Sequence, residues 1–208
     1  MNYFIAQFGN PTGAFGRFLS KIMNLSNKKM YKANMAKLRD NTCILEIGYG
    51  NGRQLEVIKK NRKAVRLYGI DISGDMHDTA LKRLGKSAEL RIADAAEIPY
   101  EDSCFDAVIT TDTYYFWGKP EKVLTEIKRV LKDKGIFVNS YNTMYASSVG
   151  KARKGKGLSK AETLIREAEK VGLKCISKKK LGLFEKQIVF QNKNRSYFKI
   201  GFDIETSK

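Results

Sequence analysis

Short apolar runs alternate with amphipathic stretches over the middle of the chain. Five runs have the length of buried strands: Thr42–Gly48, Ala64–Ile70, Leu90–Ala93, Phe105–Thr110 and Ile136–Ser140. Three stretches between them carry apolar residues at helical spacing: Arg53–Asn61, Gly74–Leu84 and Pro120–Leu131. Because parallel strands need a crossover between them, strands that alternate with helices are typical of a parallel sheet. The pattern predicts an α/β fold with a doubly wound sheet.

Two amphipathic stripes precede the first strand. The first consists of Phe15, Phe18, Leu19, Ile22 and Met23, and the second of Met30, Tyr31, Met35 and Leu38. They predict two short helices, with a break near Ser26–Asn27. We interpret residues 1–40 as a helical lid over the sheet. Helices packed on the sheet, or a basic helix on an anionic membrane surface, would give the same pattern.

A helix and two further strands are predicted after the fifth strand. Ser159 and Glu162 match a capping box at the start of a helix that runs to about Val171. Leu173–Ser177 and Phe184–Gln191 then have the composition of strands. These elements divide the chain into three parts: the lid at 1–40, a sheet domain at 41–192 and a C-terminal tail at 193–208.

The excess positive charge lies mainly in the two sequence segments that flank residues 41–150. The formal net charge is +17, from 39 Lys and Arg and 22 Asp and Glu residues. It is +6 in residues 1–40, +1 in residues 41–150 and +8 in residues 151–180. This distribution suggests an acidic partner, such as a nucleic acid, near the flanks. A solvated, Lys-rich surface is the plainer interpretation.

Nothing in the sequence predicts a metal site, a signal peptide or a membrane span. Cys43, Cys104 and Cys175 are far apart and lack the spacing of metal ligands. No apolar run approaches the roughly 20 residues that a membrane-spanning helix needs. We therefore expect a cytoplasmic protein with reduced thiols. Its oligomeric state is not indicated.

The candidate chemistry lies where the first strand meets the following helix. Gly48, Gly50 and Gly52 stand at alternate positions after an apolar run, which predicts a tight turn that lets a ligand approach the backbone. Asp71 ends the second apolar run, about 20 residues further on, where an acid would bind the hydroxyls of a ribose. The pattern predicts a nucleotide-type site at the carboxyl end of the sheet.

Two other nucleotide motifs fit less well. Gly85–Lys86–Ser87 has the end of a phosphate-binding P-loop, but Ala80 stands at its first glycine position and no strand precedes it. A dinucleotide fingerprint would need a small third residue at position 53, where Arg53 stands. The Gly-x-Gly-x-Gly pattern with acids at Glu46, Asp71 and Asp94 fits better.

These motifs resemble those of a known family. ILEIGYGNG, YGIDIS, RIADAAEIPYEDSCFDAVIT and VLKDKGIFV are similar, in order and spacing, to successive motifs of class I S-adenosylmethionine-dependent methyltransferases, and most of all to the small type 11 group. The resemblance covers about residues 40–141. It implies a Rossmann-like, seven-stranded sheet with an antiparallel last strand, and S-adenosylmethionine as the cofactor.

The resemblance also implies a cofactor site. Its predicted residues are Glu46, Gly48, Tyr49, Gly50, Gly52, Asp71, Ile72, Met76, Asp94, Ala95 and Thr110. Glu46 would hold the glycine loop or the ammonium group, and Asp71 the ribose hydroxyls. Ile72 and Met76 would pack on the adenine, and Asp94 would accept from its amino group. Tyr49 departs from the small residue or Cys usual at its position, and its ring would narrow the pocket or face the acceptor.

The methyl acceptor is predicted to lie beside the segment that follows the fourth strand. The catalytic candidates are Asp112, Tyr114 and Tyr115, and the acceptor-binding candidates are Phe18, Tyr115, Trp117, Tyr141 and Tyr145. An aromatic wall packs flat or apolar groups and holds cations on its faces. Phe116 and Trp117 as core residues would be equally consistent with the sequence. His77, the single histidine, is interpreted as structural.

Three functions follow from this pattern. We prefer methyl transfer to a small-molecule acceptor through N, O, S or C. An RNA or other nucleic-acid methyltransferase is the first alternative, although the segment after strand four lacks the proline-containing motif of the amino-methylating enzymes. Cys104 lies at the wrong end of that strand to be the nucleophile of a cytosine-C5 enzyme. A non-catalytic, cofactor-binding regulatory protein is the second alternative.

Overall fold

The computed structural model describes residues 27–152 and 160–193. The strands in these residues are β1 (Cys43–Ile47), β2 (Arg66–Asp71), β3 (Glu89–Ile92), β4 (Phe105–Thr111), β5 (Leu131–Asn142), β6 (Leu173–Lys180) and β7 (Glu185–Asn192). The helices are α1 (Lys28–Met35), α2 (Arg53–Asn61), α3 (Gly74–Leu84), α4 (Pro120–Val130), α5 (Thr143–Ala152) and α6 (Ala161–Lys170). A 3₁₀ turn at Tyr114–Phe116 follows β4.

The seven strands form one sheet in the order β3-β2-β1-β4-β5-β7-β6. The pairs from β3 to β5 are parallel, and β7 is antiparallel to both of its neighbours. The strand order reverses between β1 and β4, which creates a crevice at the carboxyl edge of the sheet. The predicted doubly wound sheet with an antiparallel last strand is thereby confirmed.

The core strands are buried because helices cover both faces of the sheet. Every residue of β1 is buried, as are all but one of β4. The carboxyl ends of these strands lie level, since Ile47 pairs with Thr110 on one side and with Ile70 on the other. Residues that follow β1, β2 and β4 therefore meet at one edge.

Two elements differ from the sequence prediction. β5 begins at Leu131, five residues before the predicted Ile136, because Leu131 pairs with Phe105 before a register shift in the ladder. The helix α5 was not predicted, since only two of its apolar residues, Ala146 and Val149, are buried. The first amphipathic stripe, Ser159 and the C-terminal tail lie outside the described residues.

The second predicted stripe forms α1, which lies on the sheet. Its Asn34 is fully buried. The Asn34 amide donates to Thr111 Oγ1 at 3.0 Å and Gln54 Oε1 at 3.3 Å, and it accepts from Ser140 Oγ at 2.6 Å and Gln187 Nε2 at 2.8 Å. A polar network therefore joins α1 to α2, β4, β5 and β7. Within the described ranges, no helix is both long and apolar enough to cross a membrane.

Candidate active site

A cavity opens at the carboxyl ends of β1, β2, β3 and β4, where sheets of this topology bind ligands. Its empty space, including the open mouth, is about 1120 Å³. The lining comes from five stretches at or after these strands: 46–51, 70–72, 93–95, 111–113 and 116–118. Asn27 and Tyr31 of the N-terminal segment, and Met76 of α3, also line it.

Three glycines shape the turn between β1 and α2. Gly48, Gly50 and Gly52 have φ angles between 53° and 75°, a region that L side chains rarely adopt. A Cβ at Gly48 would collide with the side chain of Thr113, whereas a Cβ at Gly50 would meet no atom within 4 Å. The backbone at Gly50 is therefore open to a ligand, while Gly48 allows the segment after β4 to pack closely.

The glycine positions give a matched pair of stability predictions. We expect Gly50→Ala to lower the free energy of unfolding by about 1 kcal/mol, the cost of a left-handed backbone for alanine. Gly48→Ala adds the collision with Thr113, so we expect a loss of about 2–4 kcal/mol. Urea unfolding of the two variants measures the difference. Equal losses would show that Thr113 moves aside without cost.

Asp71 ties the glycine loop to the end of β2. Its Oδ2 accepts from the Gly50 N–H at 2.8 Å, and its Oδ1 accepts from the Ser73 N–H at 2.9 Å. Burial raises the pKa of Asp71 above its ordinary value, and these backbone donors oppose the rise. Ser73 itself caps α3 by accepting from the Met76 N–H. Asp71 is therefore not needed as a helix cap.

Glu46 is a buried acid that borders the cavity. Its Oε2 finds no hydrogen-bond partner among the described residues. Burial, and then the negative charge of Asp71, raise the pKa of Glu46 well above its ordinary value. Buried polar atoms in proteins are nearly always paired. The unpaired oxygen therefore points to a ligand that donates a hydrogen bond, such as an ammonium group.

Asp112 also lines the cavity and lies directly after β4. It is 3% exposed, and its φ of 57° lies in the left-handed region. Its Oδ1 accepts from the Asn142 N–H at 2.7 Å and from the Tyr115 hydroxyl at 3.0 Å, and the side chain of Asn27 also bonds to it. Burial raises the pKa of Asp112 to about 6 in spite of these donors. Strain, burial and a perturbed pKa together are typical of a functional residue.

Comparison with known proteins identifies the family. Residues 45–139 match the family model described as a methyltransferase domain. A demethylmenaquinone methyltransferase of Thermotoga maritima is 33% identical over 46% of this chain and 41% of its own length. A methyltransferase of Bacillus subtilis without an assigned substrate is 31% identical over 55% of this chain and 65% of its own length. The chain thus spans less than two thirds of these relatives.

The fold comparison agrees. A methyltransferase of Haloferax volcanii, solved in complex with the Trm112 methyltransferase activator, has a TM-score of 0.78 at 17% identity, over 93% of this chain and 99% of that one. The matched segment, residues 45–139, is a domain of the class I S-adenosylmethionine-dependent methyltransferase family, in its type 11 group as the motifs predicted. S-adenosylmethionine is the cofactor of that family.

The residues of this cavity fit that cofactor. The open backbone at Gly50 and the unpaired Glu46 oxygen suit its amino-acid part. Ile72 lines the cavity with 56% of its surface exposed, and Met76 is fully buried beside it, so a flat base would cover an exposed apolar side chain. Asp94 also lines the cavity, and its Oδ1 accepts from the Ala96 N–H at 2.9 Å.

Thr110 does not line the methyltransferase cavity as predicted. It is fully buried, its hydroxyl donates to the Ile47 carbonyl at 3.0 Å, and it contacts Thr113 Oγ1. It ties the end of β4 to the end of β1 because these strands are neighbours. Thr111, Asp112 and Thr113 line the cavity in its place.

Tyr49 ties the glycine loop to α3. Its ring is buried against Gly69, where a Cβ would lie 2.6 Å from a ring carbon. Its hydroxyl lies 2.8 Å from His77 Nδ1. A small residue at position 49 could not reach His77, and a side chain at Gly69 would displace the tyrosine ring. His77 thus has the structural role that the sequence suggested.

The predicted acceptor residues and the catalytic candidate Tyr114 occupy different environments. Trp117 lines the cavity, whereas Tyr114 and Tyr141 pack against each other in the core with ring centroids 5.2 Å apart. Tyr145 is half-buried beside that core. Phe18 lies outside the described residues. Tyr114 and Tyr141 are thus core residues, because the unpredicted helix α5 turns the chain over them.

Tyr115 supports Asp112 from below the cavity lining. It is 2% exposed and does not itself line the cavity, but its hydroxyl donates to Asp112 Oδ1. Phe116, its neighbour in the 3₁₀ turn, does line the cavity. From the N-terminal segment, sequence reasoning missed the lining residues Asn27 and Tyr31. Tyr31 belongs to the second amphipathic stripe, and that stripe was the available signal.

Proposed function

We propose that this chain transfers a methyl group from S-adenosylmethionine to a small-molecule acceptor. The observation that supports it is the composition of the lining. Besides the residues suited to the cofactor, the cavity is lined by Tyr31, Asp112, Phe116 and Trp117. A protein that only bound the cofactor would not need these further lining residues.

The bound cofactor would supply a sulfonium-activated methyl group. The protein's task is then to hold a nucleophile in line with that methyl group and to exclude water. Phe116 and Trp117 would pack on the acceptor, and Tyr31 would cover it from α1. Asp112 would orient the acceptor through its carboxylate. No dedicated base is required where the acceptor is already electron-rich.

The matched relatives support a small molecule as the acceptor. The Thermotoga maritima enzyme is named for demethylmenaquinone, which is a small molecule. We do not transfer that substrate to this chain, because the match spans 41% of the relative. The nucleic-acid alternative rests on the basic flanks, residues 1–40 and 151–180, of which residues 1–26 and 153–159 lie outside the described ranges.

Calorimetric titration tests the proposal in two stages. We expect micromolar binding of S-adenosylmethionine and no competition by NADH, followed by release of S-adenosylhomocysteine when a small-molecule acceptor library is added. Binding of NADH without S-adenosylmethionine would overturn the assignment of the glycine loop. Methylation of RNA, with no turnover of any small molecule, would favour the nucleic-acid alternative.

A further inference from the structure

The charges that line the cavity have one sign. Four carboxylates line it: Glu46, Asp71, Asp94 and Asp112. Among the described residues, no Lys, Arg or His side chain lines it. This contrasts with the formal charge of +17 for the whole chain. The excess of Lys and Arg residues therefore lies outside the described part of the cavity lining.

Three of the four carboxylates are positioned for the cofactor. Glu46, Asp71 and Asp94 lie at β1, at the end of β2 and after β3, next to the glycine loop and the adenine-type lining. Asp112 follows β4 instead, on the side lined by Phe116 and Trp117. Asp112 is therefore the one lining carboxylate among the described residues that is not assigned to the cofactor.

We infer that Asp112 selects the methyl acceptor and that the acceptor presents an amine to it. This inference rests on the proposed methyl transfer and deepens it. An amine donates hydrogen bonds to the carboxylate, and when protonated it also gains from the neighbouring aromatic faces. A carboxylate or phosphate acceptor would be repelled by Asp112 and would meet no cation among the described lining residues.

The surroundings of Asp112 hold its carboxylate in a fixed position beside the cavity. The Asn142 N–H and the Tyr115 hydroxyl both bond to Oδ1, and the Asp112 N–H donates to the Ser140 carbonyl at 3.0 Å. The side chain is thus fixed from β5 and from the 3₁₀ turn. A fixed carboxylate discriminates between a donor and an acceptor of hydrogen bonds better than a mobile one does, because it cannot turn away.

The selectivity will depend on pH. Four titratable groups face Asp112: Tyr31 from α1, Tyr114 and Tyr115 from the 3₁₀ turn, and Glu185 from β7. The tyrosines stay neutral because burial raises the pKa of Tyr31, Tyr114 and Tyr115 above the ordinary value. The pKa of Asp112 is about 6, so its charge is present above that pH and lost below it. Preference for an amine should therefore fall as pH drops through about 6.

Three isosteric probes test the inference on the protein saturated with S-adenosylhomocysteine. They are phenethylamine, 2-phenylethanol and 3-phenylpropionate, which share a ring and a chain and differ in the terminal group. We expect the amine to bind at least about tenfold more tightly than the carboxylate, since tenfold corresponds to about 1.4 kcal/mol. Ligand-observed NMR gives the three affinities without requiring turnover.

Two variants complete the test. Asp112→Asn should reduce amine binding to the level of the alcohol and leave S-adenosylhomocysteine affinity unchanged. Glu97→Gln removes an exposed carboxylate outside the lining and should keep the amine preference. Where Asp112→Asn fails to fold, Tyr115→Phe removes one of the bonds that fix Asp112 Oδ1 and should weaken the amine preference, and the pH titration of the wild type supplies a second test.

The outcomes separate the two proposals. If S-adenosylhomocysteine does not bind, the proposed function fails and the inference fails with it. If it binds, but the amine is not preferred or is not bound detectably, only the inference is overturned. A preference that survives Asp112→Asn, or a loss of S-adenosylhomocysteine binding in that variant, would also overturn it, since Asp112 would then serve the cofactor.

Discussion

Replacing Asp71 with alanine is expected to weaken S-adenosylmethionine binding by about 100-fold or more. The carboxylate accepts from the Gly50 and Ser73 backbone amides, so its loss releases the glycine loop as well as any bond to the ribose. Hydrogen bonds to a charged group contribute roughly 1.5–3 kcal/mol each, and two of them correspond to a factor of about 100 or more. Calorimetric titration with S-adenosylmethionine measures the loss.

Two variants show whether the loss comes from the site. Asp71→Asn keeps one acceptor oxygen for a backbone amide, so we expect a smaller loss, of about tenfold. Asp78→Asn removes an exposed carboxylate from α3, outside the lining, and should bind the cofactor like the wild type. Thermal melting without ligand establishes that each variant is folded. Unchanged affinity in folded Asp71→Ala would show that this acid does not hold the ribose.

The sheet could be predicted because its strands are short apolar runs between strong helix signals. The helices over Arg53–Asn61 and Gly74–Leu84 were predicted with the bounds that the structure has. β5 was predicted too short, since its first residues, from Leu131, include two lysines and an aspartate. They join the strand through a long-range pair with Phe105. Pairing between distant segments leaves no local pattern in the sequence.

The cofactor side of the site could be predicted because conformation and chemistry there depend on adjacent residues. Glycines that need positive φ and an acid at a strand end are local signals, and Gly50 and Asp71 meet as a donor–acceptor pair. The acceptor side depends on how distant elements pack. Tyr141 looked like a wall residue, but it packs in the core next to Tyr114. Tyr31, which also lines the cavity, lies 81 residues before Asp112.

Tyr49 in the glycine loop shows the same difference between local signals and long-range contacts. A tyrosine at position 49 departs from the usual pattern, and the sequence suggested that its ring narrows the pocket or faces the acceptor. The structure shows that the residue is paired with two distant partners, Gly69 beneath its ring and His77 at its hydroxyl. Neither partner is close in sequence. The sequence therefore showed that a tyrosine at position 49 is unusual, but it did not show which contacts the tyrosine makes.

Replacing Asn34 with alanine is expected to lower the free energy of unfolding by about 3–5 kcal/mol. All four hydrogen-bonding positions of the Asn34 amide are used, and its partners are buried residues of α2, β4, β5 and β7. Removing the amide leaves these partners without hydrogen bonds in a buried region that water reaches poorly. The free-energy cost of these unpaired groups exceeds what the bonds themselves contribute. Chemical unfolding, followed by fluorescence of Trp117, measures the loss.

The effect should be concentrated in α1. Because Asn34 fastens this helix to the sheet, hydrogen exchange in Asn34→Ala should accelerate over Lys28–Met35 more than in β4. Asn34→Leu fills the space without restoring the bonds, so a similar loss in that variant assigns the effect to the polar network. Asn61→Ala removes one exposed bond to the Val57 carbonyl and should cost about 1 kcal/mol or less.

Docking of α1 on the sheet brings Tyr31 to the cavity lining, where we propose that the acceptor binds. If the network holds the helix, folded Asn34→Ala should bind S-adenosylhomocysteine nearly normally and lose affinity for acceptor probes, because the cofactor lining comes mainly from other segments. If Asn34→Ala instead costs no more than Asn61→Ala, the apolar contacts of Met30 and Tyr31 dock the helix unaided. The buried amide would then set only the register of α1 on the sheet.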